Sequence, residues 1–424
     1  MIDADFAVRD IGLLVTMAGP TPRTGTGMRE LDTMAAAAVA ASKGRIVWVG
    51  PDAAFDGLVN LVPEAPVLDA AGAAVVPGFV DPHTHLVFSG DRDDELRRRL
   101  AGASYKEIAA SGGGIVRSVE ATRAASVEEL AEGVAGRLDE MLCCGTTTAE
   151  VKSGYGLETA AEIRSLEAIH LAASRHPTTV VPTFLGAHEV PLDYRDRRAE
   201  YVDLVVERMI PAVAERGLAE FGDVFCEEGV FTVEESRRIL VATREHGMKL
   251  RIHADELVWT GGAELAAELG ARSADHLGFV SEKGMAALAH ASCVATLLPA
   301  ATFYLRLGHY APARPLIEAG VPVALATDVN PGGGLSPSLP FAMAVGCFAM
   351  GLALEEALTA VTVNAAFSLD RHDEVGTIEV GKSADLVLLR SRRLLDLVRL
   401  GVGAVRTVVK SGRVVVRDGR RVGD

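Results

Sequence analysis

The chain is poor in cysteine: Cys143, Cys144, Cys226, Cys293 and Cys347 are the only five in 424 residues. The number is odd and the spacing forms no paired zinc motif, which argues against a secreted disulfide framework. Basic residues are also short. Lys and Arg number 42 against 57 Asp and Glu, a net charge of 42 − 57 = −15. A surface for nucleic acid or for an anionic membrane needs clustered Lys and Arg, so neither partner is expected. The opening MIDADFAVRD lacks a basic segment followed by an apolar run. No secretory leader is read there, and a cytoplasmic location is expected.

One stretch lacks Asp, Glu, Lys and Arg altogether, from Gly284 to Leu305. Its length would span a bilayer. It nevertheless carries His290, Ser292, Thr296, Thr302 and Pro299, and passes from a helical pattern into ATLLPA. Helix followed by buried strand is the reading that fits these interruptions. Leu335–Leu354, with Pro331, Pro337 and Pro340 nearby, is read as non-spanning for the same reason.

What is present is close to an average soluble composition, with 49% hydrophobic and 23% charged residues. The length allows two or three domains, or one large barrel with an addition. Both ends of the chain read as short strands and turns: FAVRDIGLLVTM, GRIVWVG and APVLDAAG at the start, GTIEVGKSADLVLL and VRTVVKSGRVVVRDG at the finish. This shared pattern predicts one small β domain assembled from residues 1–74 and 367–424, with residues 75–366 inserted between them.

The middle alternates apolar strands with amphipathic helices such as VEELAEGVAGRLDEML. The strands are VVPGFVDPHTH, GTTTAEV, TVVPTFLGAH, DVFCEEGV, KLRIHADE, SADHL, ATLLPA and VPVALATD. Near-continuous apolar strands separated by helices signal a parallel sheet covered on both faces. Eight of them predict a (β/α)8 barrel of the TIM type carrying the small β-sandwich built from the two termini.

The strand ends hold the chemistry. In order they finish with His83 and His85; Lys152 and Tyr155; His188; Glu227 and Glu228; His253 and Glu256; His276; Pro299; Asp328. Five of the eleven histidines collect at these ends, the face where barrels of this kind place their active sites. In DPHTHL the i, i+2 spacing turns His83 and His85 to one face. Alone, such a pair is either a metal-binding pair or two hydrogen-bonded core histidines. With His253 and Asp328 at other strand ends, it becomes a set of three neutral nitrogens and one carboxylate for a metal ion, with a position left for water. A site of that kind lowers the pKa of bound water from about 16 toward 7. Asp328 could both ligate and take the water's proton, and His276 could steady an oxyanion, unless it is a structural histidine bonded to Asp275.

Glu256, three residues past His253, is either a proton shuttle or a solvated loop residue. Arg92, set among acids and other arginines, reads by itself as surface charge. Tyr155 and His188 are single residues at strand mouths that decide nothing alone. SGGGIV (111–116) lacks the ending of a phosphate-binding loop and is read as a loop over the site. Cys143 and Cys144 are assigned to packing.

The segments PGFVDPHTHLVFSGDR, SYKEIAASGGGI, AEVKSGYGL, FLGAHEVP, DVFCEEGVF, RIHADE, ATLLPAATFYL and TDVNPG, in that order, resemble the amidohydrolase superfamily. Within it they are similar to the branch that hydrolyses an imidazolone ring in histidine degradation. The resemblance covers essentially the whole chain. It implies a hydrolase of cyclic amides that converts 4-imidazolone-5-propanoate to N-formimidoyl-L-glutamate. It implies one divalent or trivalent metal ion per chain, zinc or iron, on His83, His85, His253 and Asp328. It further implies substrate contacts from Arg92, Tyr155, His188, Glu256, Asn330, Gly332 and Gly333, catalytic roles for Asp328, His276 and Glu256, and a homodimer. Arg92 then has a purpose, pairing with the substrate's propionate. Two features limit the match. A small hydroxyl residue is expected after TDVNPG where Gly333 and Gly334 stand. The fourth strand ends in Cys226-Glu227-Glu228 without the lysine that holds a second metal in other members. The alternative is a deaminase of a nucleobase-like ring, since mononuclear deaminases of the superfamily also place a glutamate three residues after the strand-five histidine.

Overall fold

The computed structural model describes residues 1–103 and 114–423. Its central element is a parallel sheet of eight strands: β1 (Phe79–Asp81), β2 (Thr146–Lys152), β3 (Thr179–Ala187), β4 (Phe221–Cys226), β5 (Lys249–Ala254), β6 (Ser273–His276), β7 (Val294–Leu297) and β8 (Val323–Leu325). Each strand pairs with its successor in sequence, as a (β/α)8 barrel requires. The seam between the first and last strands is joined at the mouth. There Asp328 N donates to His83 O at 3.1 Å and His85 N to Val329 O at 2.8 Å.

Several of the helices between the strands start where the sequence offers an N-cap. Ser126 opens Val127–Cys143 and Thr232 opens Val233–Glu245, each in a capping box with the glutamate three residues on. The uncharged stretch resolves into helix Glu282–Ala291, strand β7 and a short helix Pro299–Leu305. Among the described residues no helix is long and apolar enough to cross a membrane.

The first predicted strand is interrupted. Ala74–Pro77 belongs to a different sheet, and only Phe79–Asp81 enters the barrel. Pro82, with no N–H to give, follows the last residue of β1. His83 and His85 therefore lie just beyond the strand.

The other sheet is mixed and has nine strands drawn from both ends of the chain. The strand Leu386–Leu389 lies antiparallel to Ala74–Pro77, with Val387 opposite Val76 and Leu388 opposite Val75. Alternation gives this sheet two apolar faces. Val76, Val387, Leu389 and Val408 pack into the core shared with the barrel. Val75, Leu386, Leu388 and Val409 pack with Val8, Ile11 and Leu14 in a core of their own.

Gly78 is the crossing point between the two sheets. A Cβ built there would lie 2.3 Å from Thr147 Oγ1 on β2. Gly78→Ala should therefore destabilise the protein by about 1–3 kcal/mol through overpacking. Thermal unfolding is expected to shift down for this variant and to stay near the parent for Gly57→Ala, whose added Cβ meets nothing within 4 Å.

Candidate active site

Three imidazoles converge at the barrel mouth. His83 Nε2 and His85 Nε2 are 3.2 Å apart, and His253 Nε2 is 3.4 Å from His85 Nε2. Asp328 closes the fourth side, its Oδ1 3.4 Å from His85 Nε2 and 3.7 Å from His83 Nε2. The first, fifth and eighth barrel units each contribute, as the sequence spacing predicts.

Buried carboxylates stand behind two of the three rings. Asp275 Oδ2 accepts from His83 Nδ1 at 2.6 Å, which leaves the Nε2 lone pair facing the cluster. His253 Nδ1 lies 3.0 Å from Asp223 Oδ2, though off the line of a hydrogen bond. Burial pushes the His83 and His85 imidazoles well below their usual range, with Lys152 and the other histidines adding to the shift. Three imidazole nitrogens gathered at hydrogen-bond distance suit a cation shared among them. These donors fit a metal ion: three imidazole nitrogens, a carboxylate, and further carboxylates behind two of the rings.

The remaining predicted residues surround this cluster. His276 is the last residue of β6 and stands at φ 76°, a left-handed conformation found more often at functional sites than elsewhere. Its Nδ1 faces Glu256 Oε1 at 3.5 Å, and its buried Nε2 has no hydrogen-bond partner among the described residues. Asp275 does not bond to it. Asp275 turns to His83 instead, and the left-handed turn at His276 brings that ring to the same cluster, 5.4 Å from the His83 ring. Burial pushes Glu256 up to about 8, with Asp328 and Glu227 adding to the effect.

The His188 ring lies flat against His85, centroids 5.0 Å apart, and its Nδ1 pairs with Gly154 O at 3.0 Å. Burial holds it down at about 3, hence neutral. Tyr155 is buried beside it, ring centroids 5.3 Å apart.

Arg92 is buried rather than a surface charge, and two of its donors are committed. Nε and Nη2 both bind Glu95 Oε2, at 2.9 and 2.6 Å. Its Nη1 lies so close to Gly332 that a Cβ there would stand 2.2 Å away. Gly332 is thus the residue that lets the guanidinium lie on the loop backbone. Asn330 Oδ1 accepts from Gly332 N and Gly333 N at 2.8 and 2.6 Å, and its Nδ2 donates to Asp328 O. These three residues shape the loop that carries Asp328. A side chain at Gly333 would press on Leu305, about 3.0 Å away, so Leu305 fills the room a hydroxyl residue would need.

Several working residues were not singled out from the sequence. Asp223, Asp275 and Glu150 lie within strands and read there as isolated polar interruptions. Glu227 stands at a strand end, and its carboxylate accepts from the backbone N–H of Glu256, Leu257 and Val258. Its signal was position alone. Residues 111–113 of the glycine-rich segment lie outside the described residues.

The chain belongs to the amidohydrolase family, whose model matches residues 74–415. Within that family it belongs with the imidazolonepropionases. The protein of that name from Symbiobacterium thermophilum is 52% identical over 422 residues, covering 99% of each chain. That from Alkaliphilus metalliredigens is 47% identical over 418 residues, covering 98% of this chain and 99% of its own. Among solved structures, a zinc-bound adenosine deaminase from Xanthomonas campestris is similar with a TM-score of 0.74 at 19% identity, covering 100% of this chain and 95% of that one. At that identity the likeness shows the fold alone.

His253→Ala tests the cluster as a metal site. The variant should keep its far-ultraviolet circular dichroism but lose on dialysis the metal ion that the parent retains. Metal retained at the parent's level would remove His253 from the ligand set.

Proposed function

We propose that the chain hydrolyses the cyclic amide of 4-imidazolone-5-propanoate to N-formimidoyl-L-glutamate. The observation that carries this reading is the convergence of His83, His85, His253 and Asp328 in a chain 52% identical, end to end, to an imidazolonepropionase.

The ion is read as zinc or iron, one per chain, on those four residues, since nitrogen and carboxylate donors accept either metal. Bound there, it would supply Lewis acidity to the ring carbonyl and make a water acidic enough to attack near neutral pH. The chain's own groups do the rest. Asp328 takes a proton from the attacking water as the new C–O bond forms. His276 Nε2, unpartnered within the described protein, is turned to the carbonyl oxygen, where it stabilises the developing negative charge. Glu256, held protonated at neutral pH by burial, gives its proton to the ring nitrogen as the C–N bond breaks. His188 and Tyr155 flank the ring. Arg92 offers the propionate its Nη1 edge, because Glu95 occupies the other.

The working assembly is read as a cytoplasmic homodimer, with the 81% exposed Phe348 available to a contact between copies. Sedimentation of the purified chain tests that state.

The decisive assay supplies the substrate in place from urocanate with urocanase. Decay of its ultraviolet absorbance is followed with and without this protein, alongside metal content. Metal-dependent decay to formimidoylglutamate is expected. Bound metal without acceleration, together with ammonia release from a nucleobase, would replace this reading with a deaminase. Arg92→Ala should keep its metal and lose about 1.5–3 kcal/mol of substrate binding. That is roughly a 10- to 100-fold rise in KM. Unchanged kinetics would remove Arg92 from the carboxylate site.

A further inference from the structure

Lys152 ends β2 with no solvent exposure, and the reaction as described gives it no task. Its Nζ donates to Glu150 Oε1 and to Asp223 Oδ2, both at 2.8 Å, and lies 3.8 Å from Asp275 Oδ2. Each of these carboxylates leads to a histidine of the cluster. Asp223 stands behind His253 and Asp275 behind His83. Glu150 Oε2 accepts from Thr84 N at 3.1 Å, the residue between His83 and His85. The backbone repeats the tie, with Lys152 N donating to Thr84 O at 2.9 Å and Thr84 Oγ1 to Glu150 O at 2.6 Å.

The third histidine depends on this path most. His85 Nδ1 has no hydrogen-bond partner among the described residues, so its main chain and the stacked His188 ring set its direction. A second cation, Arg251, binds Asp275 Oδ2 at 3.2 Å and Pro82 O at 2.8 Å. It does not bond to Glu150 or Asp223 in the described structure, so those two carboxylates have Lys152 alone as a cationic donor.

We propose that Lys152 is a positioning residue for the metal site, a single ammonium that fixes the carboxylates which in turn aim His253 and the His83–His85 segment. Three N–H donors on one buried point charge suit this task, because one group can hold several acceptors at once. Without it, Glu150 Oε1 and Asp223 Oδ2 lose their shared donor, leaving Glu150 to Thr84 N and Asp223 to the backbone N–H groups of Val224 and His253. The proposal rests on reading the histidine cluster as a metal site, and does not depend on which ring the enzyme opens.

The test measures the affinity of the metal-free chain for Zn2+ by competition with a chromophoric chelator, together with the visible spectrum of the Co2+ form. Lys152→Met is compared with Lys152→Met/Glu150→Gln, which removes one charge of each sign and so limits the cost of an unpaired buried carboxylate. Circular dichroism identifies which variants fold. Folded variants are expected to bind Zn2+ roughly 10- to 100-fold more weakly than the parent, with an altered Co2+ spectrum. A purely structural lysine would leave both readouts unmoved in a folded, charge-balanced variant. Parent-level affinity in a folded double variant overturns the proposal, as does failure of both variants to fold. A parent chain that binds no Zn2+ overturns the metal-site reading itself, which keeps the two failures distinct.

Discussion

The site depends on the eighth strand returning to the first. His83 and Asp328 come from opposite ends of the barrel sequence, yet a 3.1 Å backbone hydrogen bond joins them. Below it, Thr327 Oγ1 donates to Asp81 Oδ2 at 2.6 Å across 246 residues of chain. An open sheet of the same eight strands would leave Asp328 a barrel's width from the histidines. Closure brings a carboxylate to imidazoles that no local sequence relation connects, and every later feature of the site assumes that meeting.

Closure also creates the main difficulty of the fold. Glu150, Lys152, Asp223, Arg251 and Asp275 all lie inside the barrel at 2% exposure or less. Burying charges is costly unless each is paired and hydrogen-bonded. Here the charges alternate in space: Lys152 between Glu150 and Asp223, Arg251 against Asp275. The set carries three carboxylates and two cationic side chains, leaving a net negative floor under the imidazoles. A cation above that floor completes the balance.

The sequence made the frame of this arrangement legible and hid its supports. Eight strands could be read because parallel barrel strands are apolar throughout, and the histidines stood out because they broke that pattern at its ends. Asp223 and Asp275 break it too. From the sequence, however, a polar residue inside a strand could face either side, and Asp275, which the sequence offers only as a structural alternative partner for His276, bonds to His83. Arg92 read as surface charge although Glu95 stands only three residues on, because the burial of the pair against the distant Gly332 backbone is not visible in the sequence. The resemblance assigned it to substrate without indicating that half its donors were already engaged. The same holds for Asn330, whose amide serves the loop's own backbone. Such pairs sit at local spacings, i to i+2 or i+3, but that these side chains are already engaged shows only in the folded chain.

The pairing of Val75 with Leu388 carries a consequence for synthesis. The strand at Ala74–Pro77 leaves the ribosome early, and its partner at Leu386–Leu389 follows only after some 300 further residues, roughly 15–60 s at ~5–20 residues per second. Until then one edge of the amino-terminal sheet stays unpaired while the barrel's own strands emerge and assemble. Such an edge is a template for pairing with other chains. The growing polypeptide is thus most exposed to aggregation not while the barrel is incomplete but until its last segment arrives, which makes the carboxyl-terminal strands the latch of the whole molecule.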